Sequence, residues 1–257
     1  MLVRNQYRML LLSLCGTVAL SSANAASAQQ AGSNRDASYT VTFNQDSFFG
    51  FNPSFNGLLP VSDTVDFSFY GTFWTRPSFG LGGGGGSLWT EFGVGANFHL
   101  ADDTLTIKPQ IGITNGSLLS GGASRGTGED ETRGPAFADG IVPSLTINYN
   151  GDKFEGEFYG GYYAALRNRN DTDGLDFLHT WVNIGYKASD TVSFGPHYEL
   201  LSNTRNPVTG ANKSYEWLGG YVQFKLPKGF FARFTAGADL DKDNTGDFYK
   251  MSVGMSF

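Results

Sequence analysis

The sequence predicts an all-β fold, a single up-and-down meander of twelve antiparallel strands closed into a transmembrane barrel. Three observations predict it. Apolar and polar residues alternate with a period of two in segment after segment, which is the pattern of strands with one greasy face. The connections alternate between tight turns and long loops, as they do when the two rims of a barrel face different compartments. The number of segments is even, so the meander begins and ends on one rim and its first and last strands can pair.

Taken in order, residues 1–28 read as a secretory signal peptide. Arg4 and Arg8 precede an apolar run over 9–20, and Ala23-Asn24-Ala25 and Ala26-Ser27-Ala28 offer small-residue cleavage sites. Cys15, the single cysteine, lies in that run after Leu14, where a lipoprotein site needs a small residue. It leaves with the peptide, and no disulfide framework follows. Residues 29–36 form a polar, flexible leader, and 37–257 form the barrel.

The alternating segments cover 37–45, 53–61, 64–74, 88–100, 104–114, 140–149, 153–164, 176–188, 191–201, 214–226, 229–240 and 248–257. The second is the weakest, because Pro53, Gly57 and Pro60 interrupt it. Pro109, Pro143 and Pro196 fall inside other segments, where a missing amide donor disturbs a ladder. Tight turns fall at 62–63, 101–103, 150–152, 189–190 and 227–228, and long connections at 75–87, 115–139, 165–175 and 202–213, with a shorter one at 241–247. An eleven-residue strand tilted by about 40° spans roughly 28 Å, enough for the apolar band of an outer membrane.

Composition agrees. Hydrophobic residues make up 40% of the chain and mean hydropathy is −0.23, as expected when only alternate residues face lipid. No stretch approaches the roughly 18 consecutive apolar residues of a transmembrane helix. Glycine (35 residues) and aromatics (15%) are both abundant, which suits turns and interfacial girdles. A net charge of −6 excludes a nucleic-acid partner, which needs a basic footprint.

The pattern also sorts the faces. Val65, Phe67, Phe69 and Phe73 point outward together, as do Phe92, Val94 and Phe98, Ile107, Ile111 and Ile113, and Leu218, Val222, Phe224 and Leu226. The opposite faces carry acids, bases, histidines and rings. From these we select Trp89, Glu91, Lys108, Glu157, Tyr159, Trp181, His197, Trp217 and Arg233 as candidates for lining a solute path, where charges set ion preference and rings stack flat solutes. Trp89, Trp181 and Trp217 would form a collar at the long-loop mouth, above Lys108, Glu157 and Arg233 in mid-lumen.

Other motifs point nowhere specific. The glycine run at 80–86 contains G-x-G-x-x-G but is followed by a strand, whereas a dinucleotide site needs a following helix. Asp241 and Asp243 open a D-K-D-N-T-G stretch like the start of a calcium loop, yet the twelfth position is Ser252 rather than a bidentate Glu. The acidic Glu129-Asp130-Glu131 reads as a solvated loop tip. No cofactor and no metal is expected.

The last strand carries a resemblance. Tyr249, Met251, Val253, Met255 and Phe257 are apolar at every second position, and the chain stops on the final aromatic. This resembles the closing strand of Gram-negative outer-membrane β-barrels, in which a terminal Phe preceded by such alternation is the assembly signal. The stretches 86–95 (G-S-L-W-T-E-F-G-V-G) and 154–163 (F-E-G-E-F-Y-G-G-Y-Y) are similar to those of uncharacterised porin families. The resemblance implies export to the outer membrane, with its lipids and the barrel assembly machinery as partners, and passage of a small solute that it does not identify. Two other readings remain open here. One is a surface structural or adhesion barrel without conduction. The other is an outer-membrane lipid-modifying enzyme, which would need a Ser–His pair near the lipid boundary, whereas His179 and His197 alternate inward with no serine motif beside them.

Overall fold

The computed structural model describes residues 35–74, 89–116, 118–121, 136–167, 169, 174–241 and 246–257. The signal peptide, the glycine run at 80–86, the acidic triplet at 129–131 and Asp243 lie outside the described residues. Twelve strands are present: β1 (Ser38–Asp46), β2 (Gly50–Pro60), β3 (Val65–Trp74), β4 (Trp89–Leu100), β5 (Leu105–Gly116), β6 (Ala136–Asn150), β7 (Phe154–Ala165), β8 (Asp176–Lys187), β9 (Val192–Arg205), β10 (Asn212–Lys225), β11 (Phe230–Asp239) and β12 (Asp247–Ser256). A one-turn helix, α1 (Leu118–Gly121), follows β5. Among the described residues no helix is long and apolar enough to cross a membrane.

Each strand pairs antiparallel with its neighbours in sequence, and β1 pairs with β12 to close the barrel. The closing register runs from Thr40↔Ser256 to Asp46↔Lys250. Beyond the strand end, Tyr39 and Phe257 exchange both backbone hydrogen bonds, at 2.8 and 2.9 Å. Closure leaves no row of unpaired amides, which is the condition for placing a sheet in lipid. Outward positions are apolar and exposed, including Phe43, Phe92, Ile111, Ile184, Phe234 and Met251. Exposure of that many large apolar groups is at odds with an aqueous surface and fits a lipid-facing band.

The three mid-strand prolines are accommodated in one way. Each faces outward, and each interrupts the ladder on one side only. The β4–β5 register skips from Gly95↔Gln110 to Phe98↔Ile107 around Pro109, while the β5–β6 register is continuous through Pro109↔Leu145. Pro143 breaks the ladder to β7 and keeps that to β5, and Pro196 breaks the ladder to β8 and keeps that to β10. The missing donor costs one neighbour's pairing at each place. Glycines let the strands close in at two of these gaps: a Cβ on Gly95 would lie 2.1 Å from the Pro109 carbonyl oxygen, and one on Gly195 would lie 1.9 Å from that of Ile184.

The strand boundaries correct the sequence reading in three places. β2 begins at Gly50, three residues before the predicted start, because Phe51 and Asn52 pair with β1 ahead of Pro53. This leaves only residues 47–49 between β1 and β2. β6 begins at Ala136, opposite Gly116, beyond a register shift that carries the ladder past Thr114. β9 and β10 each extend past the predicted ends, so their connection shrinks to 206–211. The predicted flexible leader is held at its end, where Arg35 donates to the Ser62 carbonyl (3.0 Å) and pairs with Asp66.

Candidate functional site

Inward alternation places the polar faces of all these strands around one cavity of about 860 Å³. It runs from Leu226, Phe230 and Ser256 at the short-turn rim up to Asp46, Phe49 and Trp74 near the long-loop rim. The two walls differ. Strands β1, β2, β5 and β6 contribute neutral groups such as Thr40, Asn44, Asn56, Gln110, Ser144 and Thr146. Strands β7 to β12 contribute most of the charges and rings, while Asp46, Glu91 and Lys108 are the acids and base on the other side.

That second wall is a hydrogen-bonded network centred on Glu199, which is 1% exposed. One Glu199 carboxylate oxygen meets His179 Nε2 at 2.8 Å and accepts from the Tyr215 hydroxyl at 2.7 Å. The other pairs with Lys250 and lies 3.2 Å from His197 Nε2. His197 Nδ1 in turn meets the Asn183 side-chain oxygen at 2.7 Å. Below Glu199, Glu157 accepts from Trp181 Nε1 at 2.6 Å and pairs with Arg233 at 3.3 Å. Nearer the short-turn rim, Glu155 accepts from Ser193 (2.6 Å), Tyr221 (3.1 Å) and Lys225 (3.0 Å). Buried carboxylates are tolerated only when paired and hydrogen-bonded, and here each sits among donors. On the neutral side Glu91 receives the Tyr70 hydroxyl.

At the long-loop end of the cavity the described side chains form a filled layer, of which Trp74, Tyr163 and Phe49 also line the cavity. Trp89, Leu119, Val142, Tyr163 and Ala165 form one buried cluster, with Trp74 and Phe177 against it. Leu201, Tyr215, Trp217 and Phe248 form a second, with Phe49 and Phe177 against it. Trp217 lies sandwiched between Tyr215 (3.9 Å, 15°) and Phe248 (4.7 Å, 2°), and is 3% exposed. Rings that line an open wet mouth would keep a face in water. These have spent their faces on one another. The loop ends that bear on this layer are themselves anchored: Asp139 accepts from Leu119 N (2.8 Å) and Ser120 N (3.0 Å). Asp176 binds Arg169 at 2.8 and 2.9 Å, which holds that guanidinium above its ordinary pKa.

Of the nine predicted path residues, Glu91, Lys108, Glu157, Tyr159, Trp181, His197 and Arg233 line the cavity. Trp89 and Trp217 do not; they sit in separate clusters of the filled layer. Phe177 packs against both clusters. Trp181 is stacked on Tyr159 at 3.9 Å and 17°, and Lys250 Nζ lies 5.5 Å from its ring and 5.9 Å from that of Trp217. The residues that sequence reasoning left out of its site are Glu199, Lys250 and Phe49. The first two were visible as inward positions, but nothing in the alternation marks Glu199 as the hub. Phe49 lies in a turn, where alternation carries no information. The five outward residues of the last strand, Tyr249, Met251, Val253, Met255 and Phe257, alternate as read, with Val253 and Met255 paired to Phe43 and Val41 of β1. Asp241 donates its backbone amide to Asp239 (3.0 Å), and among the described residues no group of three ligating side chains could hold a metal ion.

Closed antiparallel topology, an outward apolar band and a polar interior define a membrane-type β-barrel. The chain matches the Family of unknown function (DUF6733) over residues 7–257 and belongs to that family. Its fold is similar to that of the NanC porin structure in rhombohedral crystal form, with a TM-score of 0.51 and 9% identity over 85% of this chain and 98% of that one. It also aligns with the KdgM porin at a TM-score of 0.48 and 12% identity, covering 85% and 99% of the two chains. For the KdgM porin in complex with disordered oligogalacturonate the values are 0.47, 12%, 86% and 99%. At such identities the likeness is one of fold. No curated protein sequence matches the chain.

Proposed function

We propose that the chain is an outer-membrane β-barrel that lets small solutes cross passively. The observation that carries this reading is the cavity of about 860 Å³, lined by many polar residues, inside a closed barrel whose outside is apolar. A twelve-stranded barrel lies between those that side chains fill and those that leave a wide channel, and here an intermediate lumen remains. Acids and bases alternate along its charged wall and are largely paired to each other, so charge selectivity is weak. Among the described residues, His179 and His197 are buried at 4% and 3% exposure against Glu199 inside the barrel, which favours a channel over lipid chemistry. The fold similarity to porins supports the same reading.

The filled layer near the long-loop rim favours a second reading, a surface barrel that does not conduct. Liposome swelling separates the two. Proteoliposomes diluted into isotonic glycine, glucose, sucrose or raffinose should swell at rates that fall with solute size. Swelling no faster than in protein-free vesicles for glycine would contradict the channel.

A further inference from the structure

Phe49 stands apart from every other ring in the filled layer. Apart from Phe48 of the same turn, which packs edge-on against Phe49 and Tyr215 at 4.9 Å each, the others are carried by strands, and the sandwiched Trp217 has a neighbour on each face. Phe49 is carried by the three-residue connection 47–49, at the point where the β1–β2 ladder ends with Asp46↔Gly50. From there its ring reaches inward and touches three parts of the wall: Trp74 of β3 at 4.5 Å, His179 of β8 at 5.9 Å and Tyr215 of β10 at 6.4 Å between centroids. Strands β3 and β8 are five places apart around the barrel, so one side chain bridges well-separated parts of it. Phe49 also lines the upper end of the cavity and is only half-buried, whereas Tyr215 and Trp217 are buried.

We propose that Phe49 is the removable stopper of the solute path, the side chain whose rotation opens the lumen toward the long-loop rim. This rests on the channel reading and names the residue that controls it. The backbone is set up for such a role. The Asp46 carboxylate accepts from the amides of Phe48 (2.9 Å) and Phe49 (2.5 Å), and Ser47 N donates to the Tyr249 carbonyl at 3.1 Å. The turn is thus held in place, while the ring can leave by rotation about its own side-chain bonds without breaking a ladder hydrogen bond. Trp217, buried and stacked on both faces, would give up two ring contacts to make the same movement.

The test is single-channel recording of the full chain refolded into planar bilayers, comparing wild type with Phe49→Ala and with Phe43→Ala, the latter removing a lipid-facing ring. The proposal expects Phe49→Ala to raise conductance at least twofold, or to create current where wild type has none, while Phe43→Ala matches wild type. Equal conductance in wild type and Phe49→Ala, with both folded by heat-modifiable mobility, overturns the stopper and leaves the channel standing. Absence of current in both overturns the stopper and the channel together. Should Phe49→Ala fail to fold, Phe49→Leu takes its place. It keeps apolar packing but shortens the reach, and conductance identical to wild type in that variant overturns the proposal.

Discussion

Glu199 shows what a single inward residue does in this barrel. Its carboxylate holds His179, Tyr215, His197 and Lys250 in one arrangement, tying β8, β9, β10 and β12 together across the lumen. Removing one partner from a buried charged cluster leaves the others without compensation, at a cost of about 3–5 kcal/mol. Glu199→Leu should therefore lower the urea midpoint of the folded barrel sharply, and Glu199→Gln, which keeps acceptor and donor atoms, should lower it less. The measurement is the folded fraction against urea by gel mobility. Equal midpoints for Glu199→Leu and wild type would show that the cluster contributes little.

A second residue-scale contrast concerns the tryptophans. Trp217 has both faces covered and is 3% exposed, so Trp217→Ala should cost about 3–5 kcal/mol, the range for truncating a buried large ring. The same urea series measures it. A loss under about 1 kcal/mol would mean that the layer repacks around the gap.

Individual strands illustrate how local chemistry bends a regular ladder. Pro109, Pro143 and Pro196 each spend one ladder, and Gly95 and Gly195 allow the backbone to draw in beside two of those gaps. Gly195→Ala would drive a methyl group into the Ile184 carbonyl, where the neighbour is backbone and cannot yield cheaply. The expected outcome is a reduced yield of folded barrel, read as the heat-modifiable fraction after refolding from urea. An unchanged yield would show that β8 and β9 separate there without penalty. The strands themselves were legible in the sequence because one face of each meets lipid, and that imposes a two-residue period nothing else imitates. Strand ends were less legible. Phe51 and Asn52 pair with β1 although Pro53 follows, and the extra turns of ladder on β9 and β10 lie beyond the apolar band, where alternation is no longer enforced. The inward residues were identified as a set, yet their partners were not. Alternation reports direction only, so it could not tell a ring exposed to a lumen from one stacked between Tyr215 and Phe248, nor place a turn residue such as Phe49 in the middle of the barrel.

For the whole molecule, pairing of the first strand with the last closes the sheet. The terminal residue takes part directly: Phe257 and Tyr39 exchange backbone hydrogen bonds, and their rings lie 6.0 Å apart. Deleting Phe257 removes the last rung of the closing ladder together with the aromatic end that resembles an assembly signal. We expect less folded barrel in the outer-membrane fraction of expressing cells, with refolding of the purified chain affected less than assembly in cells. Wild-type amounts of heat-modifiable barrel in the membrane would contradict this.

The barrel stands or falls on the alternation of its closing strand, with odd-numbered residues toward lipid and even-numbered ones toward a polar lumen. It is tested most directly by nitroxide labels placed one at a time along residues 249–256 of the reconstituted protein, with collision rates measured for oxygen and for a water-soluble nickel chelate. A strict two-residue alternation is expected, with oxygen accessibility high at Tyr249, Met251, Val253 and Met255 and low at Lys250, Ser252, Gly254 and Ser256. A flat profile, or odd positions that collide chiefly with the nickel reagent, would contradict a lipid-embedded barrel.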